Sequence, residues 1–269
     1  GVGINPEGTV PQASALQDFF SQCREYAKSI DWQFHVYWYG TNTNDGYMDL
    51  GSSFQDGKQN WLWKNGKQVV DMYMLNYDWG GSASGSTSYA KSIGANPYTL
   101  YAGYDIQGNW LARGPWSTLK NTEMSIAFWG NHTTNMIYQN SSEFGSGDEA
   151  VQACYLEKQE QVFSGGNRNP AKRPAIKDGI SSSSEAAMNE FHGIAEYLPA
   201  RSVLQELPFV TRFGLGNGKT FRNEGKVTFG NKWFNVGVQD YLPTWRWWIT
   251  DDSNNCLLYT SPSPRDMRR

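Results

Sequence analysis

The chain has 269 residues, of which 18% are charged and 15% aromatic, and its formal net charge is −3. This length suits one large domain or two modest ones with a substantial core. The small net charge gives no reason to expect a nucleic acid or an anionic membrane as a partner, and no segment approaches the roughly 18 apolar residues of a membrane-spanning helix. The three cysteines form neither a disulfide framework nor a metal-ligand pattern, so we predict no metal and no cofactor.

The aromatic residues include 12 Trp and 15 Tyr, and Asn, Gly and Ser are abundant between them. Aromatic rings set among amides and carboxylates suit a cleft that stacks on sugar faces and hydrogen-bonds sugar hydroxyls. The Trp-rich core of a β-protein would give the same composition. Composition alone therefore leaves both interpretations open.

The first predicted elements are a strand that ends at Asn5 and a helix from Pro11 to about Ile30. Apolar residues recur in this helix at the spacing of one face, and proline suits the first helical position. The chain begins at Gly1 in the middle of a pattern that is typical of a buried strand. We therefore expect an amino-terminally truncated chain.

Four further short runs have β character, over residues 34–39, 72–79, 98–105 and 124–129. Helical stretches lie between or after them, most clearly over 149–163, and this alternation indicates βα units around a parallel sheet. Each run is apolar at its start and acquires polar or aromatic residues at its end. Active sites of (β/α)8 barrels lie at the carboxyl ends of the strands. We therefore predict an α/β fold in which residues 1–208 are the carboxy-terminal part of a TIM (β/α)8 catalytic barrel.

The composition changes after Pro208, where Gly and Asn become frequent and helical periodicity stops. Residues 225–230, 233–238 and 245–249 have the patterns of hairpin or aromatic strands. We predict that residues 209–255 form the first strands of a β-sandwich. Residues 256–269 resemble the translation of a transposase-type sequencing adapter, so they are excluded from the predicted fold.

Asn5-Pro6-Glu7 places an amide and a carboxyl group two residues apart at a strand end, so both side chains face the same way. A glycosidase usually needs two carboxyl groups, but an amide can instead hold the 2-acetamido group of a GlcNAc unit. The carbonyl oxygen of that group then attacks the anomeric carbon in the substrate-assisted route. In one interpretation of this pair, Glu7 is the acid/base and Asn5 its catalytic partner. The alternative is that both residues only cap the helix that follows.

Five stretches, in order along the chain, together resemble glycoside hydrolase family 85. They are residues 5–7, 36–39 with Gly46, 75–79, 101–108 and 239–248. The resemblance implies an endo-β-N-acetylglucosaminidase that cleaves the GlcNAcβ1-4GlcNAc bond in the chitobiose core of N-linked glycans, with retention through an oxazolinium intermediate. Asn5 and Glu7 match the family's Asn-x-Glu after its fourth barrel strand.

The resemblance also implies residues that bind the substrate. Tyr39 matches a tyrosine that contacts the acetamido group, and Trp79 matches a tryptophan that lines the sugar site. The remaining substrate-binding candidates, each at or near the end of a predicted strand, are Asn76, Asp78, Asp105 and Trp129. For the aromatic residues the alternative is a place in the core, and for the polar residues it is a bond to loop backbone.

The sequence departs from the family where an Asp commonly follows the acetamido tyrosine, because this chain has Gly40 there. The alternative functions are those of a non-catalytic glycan-binding barrel and a chitinase-like hydrolase. A glycan-binding protein has no need of the acid Glu7, and chitinases typically place several Asp residues before the catalytic Glu, where residues 1–6 have none. The predicted partners are N-linked glycans on glycoproteins or glycopeptides.

Overall fold

The computed structural model describes residues 1–105, 111–130, 157, 160–169, 172–180, 185–198, 217–218, 221–230 and 233–234. The chain divides into two compact units. The first consists of Gly1–Asn109 and Gly114–Gly130, and the second of Trp110–Arg113 and Asn131–Arg269. None of the helices in these described ranges is both long enough and apolar enough to cross a membrane.

The first unit is built on a five-stranded parallel sheet. The strands of the unit are β1 (Val2–Ile4), β2 (Val36–Tyr39), β3 (Trp63–Lys64), β4 (Lys67–Gln68), β5 (Met72–Leu75), β6 (Leu100–Asp105) and β7 (Ser125–Trp129). The sheet has the order β1-β2-β5-β6-β7, and β3 and β4 form a separate antiparallel pair. Consecutive strands of a (β/α)8 barrel lie side by side in this way, whereas a doubly wound sheet reverses its order. The prediction of an α/β fold with a parallel sheet is confirmed.

Helices connect most of these strands. They are α1 (Ala13–Ser29) after β1, α2 (Ala83–Ser92) after β5 and α3 (Trp116–Lys120) after β6. α1 lies close to its predicted bounds and turns Ala13, Gln17, Phe20 and Ala27 into the interior. The connection from β2 to β5 contains a short 3-10 turn and the β3–β4 pair in place of an α-helix. That connection therefore provides a long loop at the carboxyl end of β2.

The interior of the first unit is aromatic. Trp38 and Trp61 stack face to face, with ring centroids 3.9 Å apart, and both are completely buried. Tyr104 and Trp116 stack in the same way at 4.1 Å. Stacked and edge-on rings contribute about 0.5–1.5 kcal/mol per pair beyond the area that they bury. Much of the aromatic content of the first unit therefore forms the core, as the second of the two interpretations of the composition allowed.

The second unit is described over short stretches. They include α4 (Glu185–Glu190), β8 (Asn217–Gly218), β9 (Phe221–Asn223), β10 (Lys226–Phe229) and β11 (Trp233–Phe234). β9 pairs with β10 and β8 pairs with β11, both antiparallel. Most of the predicted sandwich at 209–255, part of the predicted helix at 149–163 and all of 256–269 lie outside the described residues. The sandwich and the boundary at residue 208 stay predictions.

Candidate functional site

The carboxyl ends of the five parallel strands lie along one edge of the sheet in the first unit. Their register aligns the ends, because Ile4 pairs with Trp38, Tyr39 with Met74, and Asp105 with Trp129. The sequence-predicted residues at or just after these ends are Asn5, Glu7, Tyr39, Asn76, Asp78, Trp79, Asp105 and Trp129. In a barrel this edge is where catalytic groups are placed.

Asn5 and Glu7 contact each other at the end of β1. Asn5 Nδ2 donates a hydrogen bond of 3.0 Å to Glu7 Oε1, and both side chains are exposed. The alternative in which they cap the following helix is wrong, because α1 has Gln12 as its N-cap residue and that position makes no side-chain cap bond. The pair is therefore available to a ligand at the edge of the sheet.

Tyr39 and Asn76 are joined directly. Tyr39 is buried at the end of β2, and its hydroxyl donates a 2.8 Å bond to Asn76 Oδ1. The backbone N–H of Tyr77 donates to the same oxygen at 2.8 Å, and Asn76 Nδ2 donates to the carbonyl of Leu50 at 2.8 Å. These bonds fix the amide of Asn76. They favour the alternative in which Asn76 binds loop backbone and holds Tyr39 in place.

The surroundings of Tyr39 keep its hydroxyl protonated. Burial is the largest cause, and the negative charges of Glu7 and Asp105 add to it, so the pKa of Tyr39 lies above its ordinary value. The pKa of Tyr77 is also raised, by burial first and then by Tyr39 and Asp105. Two neutral hydroxyls thus lie near the carboxyl groups of Glu7 and Asp105. Such groups can donate hydrogen bonds to a substrate carbonyl.

Trp79 lies in the interior. It is completely buried, its indole N–H donates a 2.9 Å bond to the carbonyl of Gly103, and its ring meets that of Tyr104 edge to face at 5.6 Å. This geometry supports the core role that was the alternative for Trp79, and sugar stacking by it stays a prediction. Trp129 differs, because it is 42% exposed at the end of β7. Asp78 is exposed just before Trp79.

Gly40, which follows Tyr39, has no room for a side chain. A Cβ atom there would lie 2.3 Å from the ring of Tyr73 and 2.8 Å from the carbonyl oxygen of Met74. The N–H of Gly40 donates a 2.8 Å bond to that same carbonyl. The departure from the family at this position therefore has a steric reason, since the ring of Tyr73 fills the space.

Sequence reasoning missed three buried polar residues behind this edge. Thr41 and Asn42, directly after β2, are completely buried, and Lys58 is almost so. Lys58 Nζ lies 3.1 Å from Asp49 Oδ2 and donates to the carbonyls of Asp49 and Gly51. The N–H of Gly51 and then Lys58 lower the pKa of Asp49, against the opposing effect of its partial burial. The position of Thr41 and Asn42 after a strand end could have identified them in the sequence as candidates for the site. No local pattern in the sequence indicates that Lys58 is buried.

The described residues contain no group of three or more His, Cys, Asp or Glu side chains that could hold a metal ion. The residues that meet at the edge offer a carboxyl group, an amide and tyrosine hydroxyls. A carboxyl group can move a proton, and an amide can orient a polar substituent.

A comparison with protein families and a comparison with solved structures both match glycoside hydrolases. The model of glycosyl hydrolase family 85 matches residues 3–221. The solved glycoside hydrolase domain of Endo-D from Streptococcus pneumoniae R6 is similar in fold, with a TM-score of 0.64 and 24% sequence identity. The similarity covers 91% of this chain and 37% of that one, so the chain spans little more than a third of the length of the solved domain. No curated protein matches the chain.

Proposed function

This chain belongs to glycosyl hydrolase family 85, and on this premise we propose that it acts as an endo-β-N-acetylglucosaminidase on N-linked glycans. It cleaves the GlcNAcβ1-4GlcNAc bond of the chitobiose core and leaves one GlcNAc on the glycoprotein or glycopeptide. The observation that carries the proposal is the 3.0 Å hydrogen bond between Asn5 Nδ2 and Glu7 Oε1 at the exposed strand edge.

The first chemical step forms the oxazolinium ion. The carbonyl oxygen of the 2-acetamido group attacks the anomeric carbon, and the bond from that carbon to the bridging oxygen breaks. Glu7, as the protonated acid, gives its proton to the departing oxygen of the second GlcNAc. Asn5 holds the acetamido group in the attacking orientation, a role that its place beside Glu7 supports. An amide suits this role because it both donates and accepts hydrogen bonds.

The second step returns the enzyme to its starting state. Glu7, now a carboxylate, takes a proton from water as the water oxygen attacks the anomeric carbon. The oxazolinium ring opens and regenerates the acetamido group. Two displacements at the same carbon give retention of configuration. If the hydroxyl of a GlcNAc acceptor replaces water, the same step transfers the glycan to the acceptor.

Tyr39 assists through its neutral hydroxyl. A tyrosine is already protonated in the neutral range, and the pKa of Tyr39, raised first by burial and then by Glu7 and Asp105, keeps its hydroxyl a donor to higher pH as well. We assign it the acetamido group as its partner in the substrate complex. The bond to Asn76 Oδ1 holds the hydroxyl in place before the substrate arrives. Preorganised donors of this kind lower the activation free energy most where charge develops in the transition state.

The proposed activity is tested by incubating the full-length protein with glycopeptides that carry high-mannose, hybrid or complex N-glycans. Mass spectrometry should detect peptides that retain a single GlcNAc. Glu7→Gln should lower the rate by about 10²–10⁴-fold, the usual contribution of general acid/base assistance.

A matched control is Glu25→Gln, the same change at an exposed glutamate of α1 whose partner is Lys67. This variant should keep the wild-type rate. Absence of the single-GlcNAc product from every glycan class would reject the activity. Near wild-type turnover by Glu7→Gln would leave the activity in place and remove Glu7 as its acid.

A further inference from the structure

We propose that Thr41 and Asn42 are positioning residues for Glu7, which they serve by holding the main chain on both sides of it. The inference rests on the proposed function, in which Glu7 is the acid/base. Neither residue touches the substrate. Both act through the backbone of the loop after β1, residues 5–10, which is called the Glu7 loop below.

The two hydrogen bonds flank Glu7 directly. Thr41 Oγ1 donates a 2.6 Å bond to the carbonyl of Pro6, the residue before Glu7. Asn42 Nδ2 donates a 2.9 Å bond to the carbonyl of Gly8, the residue after it. The bonds span 35 and 34 positions in sequence, so they join two separate loops.

The Glu7 loop needs this support because residues 5–10 form neither helix nor strand. The side chain of Glu7 is exposed, so packing against the core does not fix it. Misplacing a catalytic group by about 1 Å can cost on the order of 10²-fold in rate. Hydrogen bonds to the carbonyls beside Glu7 limit the movement of its Cα atom.

The donors themselves stand on rigid structure. Gly40, just before Thr41, packs against the ring of Tyr73 and is bonded to the carbonyl of Met74 in the neighbouring strand β5. The carbonyl of Thr41 accepts a 2.7 Å bond from the N–H of Asp49. The position of Thr41 is therefore supported by β5, through Gly40, and by the N–H of Asp49.

A third contact joins the same two loops. The N–H of Val10 donates a 2.9 Å bond to the carbonyl of Gly46, and Asn42 Nδ2 donates to that carbonyl at 3.1 Å. Gly46 has a φ of 87°, and a Cβ atom there would lie 2.1 Å from the carbonyl oxygen of Val10. A glycine is required for this approach. Asn42 thus bonds directly to the Glu7 loop at Gly8 and shares the carbonyl of Gly46 with Val10, the last residue of that loop.

Burial indicates that these bonds matter. Thr41 and Asn42 are both completely buried although they lie beneath an exposed loop. Buried hydroxyl and amide groups are retained where each finds a partner. Valine has the same shape as threonine, so it would suit this position if the side chain only had to fill space in the core. The hydroxyl of Thr41 is therefore explained by its bond to Pro6.

The test uses leaving groups of different basicity. The natural substrate requires protonation of its departing sugar oxygen by Glu7. A 4-nitrophenyl glycoside of the same oligosaccharide releases a stable phenolate without that proton. A variant in which Glu7 is displaced should therefore lose activity on the natural bond and keep much of it on the aryl glycoside. A general loss of structure would lower both alike.

Thr41→Val removes the hydroxyl and keeps the shape of the side chain. We expect kcat/KM on the glycopeptide to fall by about 10–10²-fold. On the aryl glycoside the factor should be about ten times smaller, because release of the phenolate does not need the acid. Thr41→Ser, which restores the hydroxyl, should return the ratio of the two values to that of the wild type. Thr41→Ala is the second deletion variant, because it cannot introduce a clash.

The matched control is Thr87→Val, since Thr87 is a buried threonine of α2 whose hydroxyl bonds the carbonyls of Ala83 and Ser84. It should keep the wild-type ratio. Equal losses on both substrates in the Thr41 variants, no loss, or failure of both deletion variants to fold would overturn the positioning role alone. A wild-type protein that cleaves neither substrate would reject the proposed function and this inference with it.

Discussion

The loop after β1 and the segment after β5 have similar sequences but different structures. Each places an asparagine directly after a strand and an ionisable residue two positions later. Asn5 and Glu7 are exposed and bond to each other. Asn76, by contrast, bonds to Tyr39 and to the carbonyl of Leu50, and Trp79 lies in the core. A strand end determines the edge at which a side chain is placed. The partners that it meets there differ, because Asn5 bonds only to Glu7 in this loop, whereas Asn76 is held by Tyr39 and by loop backbone.

The largest expected effect is on stability at the end of β5. Trp79→Ala should lower the free energy of unfolding by about 3–5 kcal/mol, because it deletes a large buried ring. Glu7→Ala should change it by only about 0.5 kcal/mol or less, because that side chain is exposed. Chemical denaturation of both variants measures the difference. If Trp79→Ala instead kept its stability and lost affinity for glycan, the predicted sugar-stacking role would be restored and the contrast would disappear.

Asn5→Ala, at the end of β1, should lower the reaction rate, whereas Trp79→Ala should lower the stability. Loss of one preorganised polar group typically costs about 10²–10³-fold in rate, and we expect this loss in oxazoline formation from natural glycan. A preformed sugar oxazoline bypasses that step, so the variant should still transfer it to a GlcNAc acceptor. Both reactions are followed by chromatography of the products. Equal loss of hydrolysis and transfer would make Asn5 a structural residue.

Gly40→Ala tests the packing that supports both regions. The new methyl group would overlap the ring of Tyr73 and the carbonyl of Met74, so the free energy of unfolding should fall by about 1–3 kcal/mol. Gly85→Ala is the matched control. Gly85 lies within α2 and a Cβ atom there meets nothing within 4 Å. That variant should gain about 0.5–1 kcal/mol from helix propensity. A Gly40→Ala variant as stable as the wild type would show that the ring of Tyr73 moves freely.

The smallest expected effect concerns the bond that joins β2 to β5. Tyr39→Phe removes the donor to Asn76 Oδ1 and should cost about 0.5–1.5 kcal/mol. The pKa of Tyr39 is raised above 10.0, chiefly by burial, so the folded state holds this proton more tightly than the unfolded chain. Its contribution to stability is complete below pH 10.0 and is lost as the pH rises through the raised value.

The measurement is the free energy of unfolding as a function of alkaline pH for the wild type and Tyr39→Phe. The wild type should lose stability more steeply above the ordinary tyrosine pKa. Parallel curves would show that Tyr39 has the same pKa in the folded and the unfolded state, so that burial does not raise it. Tyr37 is a useful reference, since burial, followed by the neighbouring Tyr39, raises its pKa to about 12.

The sequence by itself determined the family and the parallel α/β sheet, and it led to the proposal that Asn5 and Glu7 are the catalytic pair. These depend on short-range patterns, because a strand or helix is specified by the spacing of its own apolar residues. Asn5 and Glu7 are only two positions apart, so their contact needs no long-range pairing, although both lie just beyond the end of β1. The resemblance to the family rested on motifs of the same short length.

Only the tertiary structure decided which strand-end residues are buried and what holds the exposed ones. Trp79 is buried through residues such as Gly103 and Tyr104 that lie on the next strand of the sheet. Thr41 reaches Pro6 across 35 positions, and Asn76 reaches Leu50 across 26. A periodic pattern specifies which face of an element is apolar, but it carries no information on which distant polar group will meet another. That pairing is fixed only when the sheet brings the loops together.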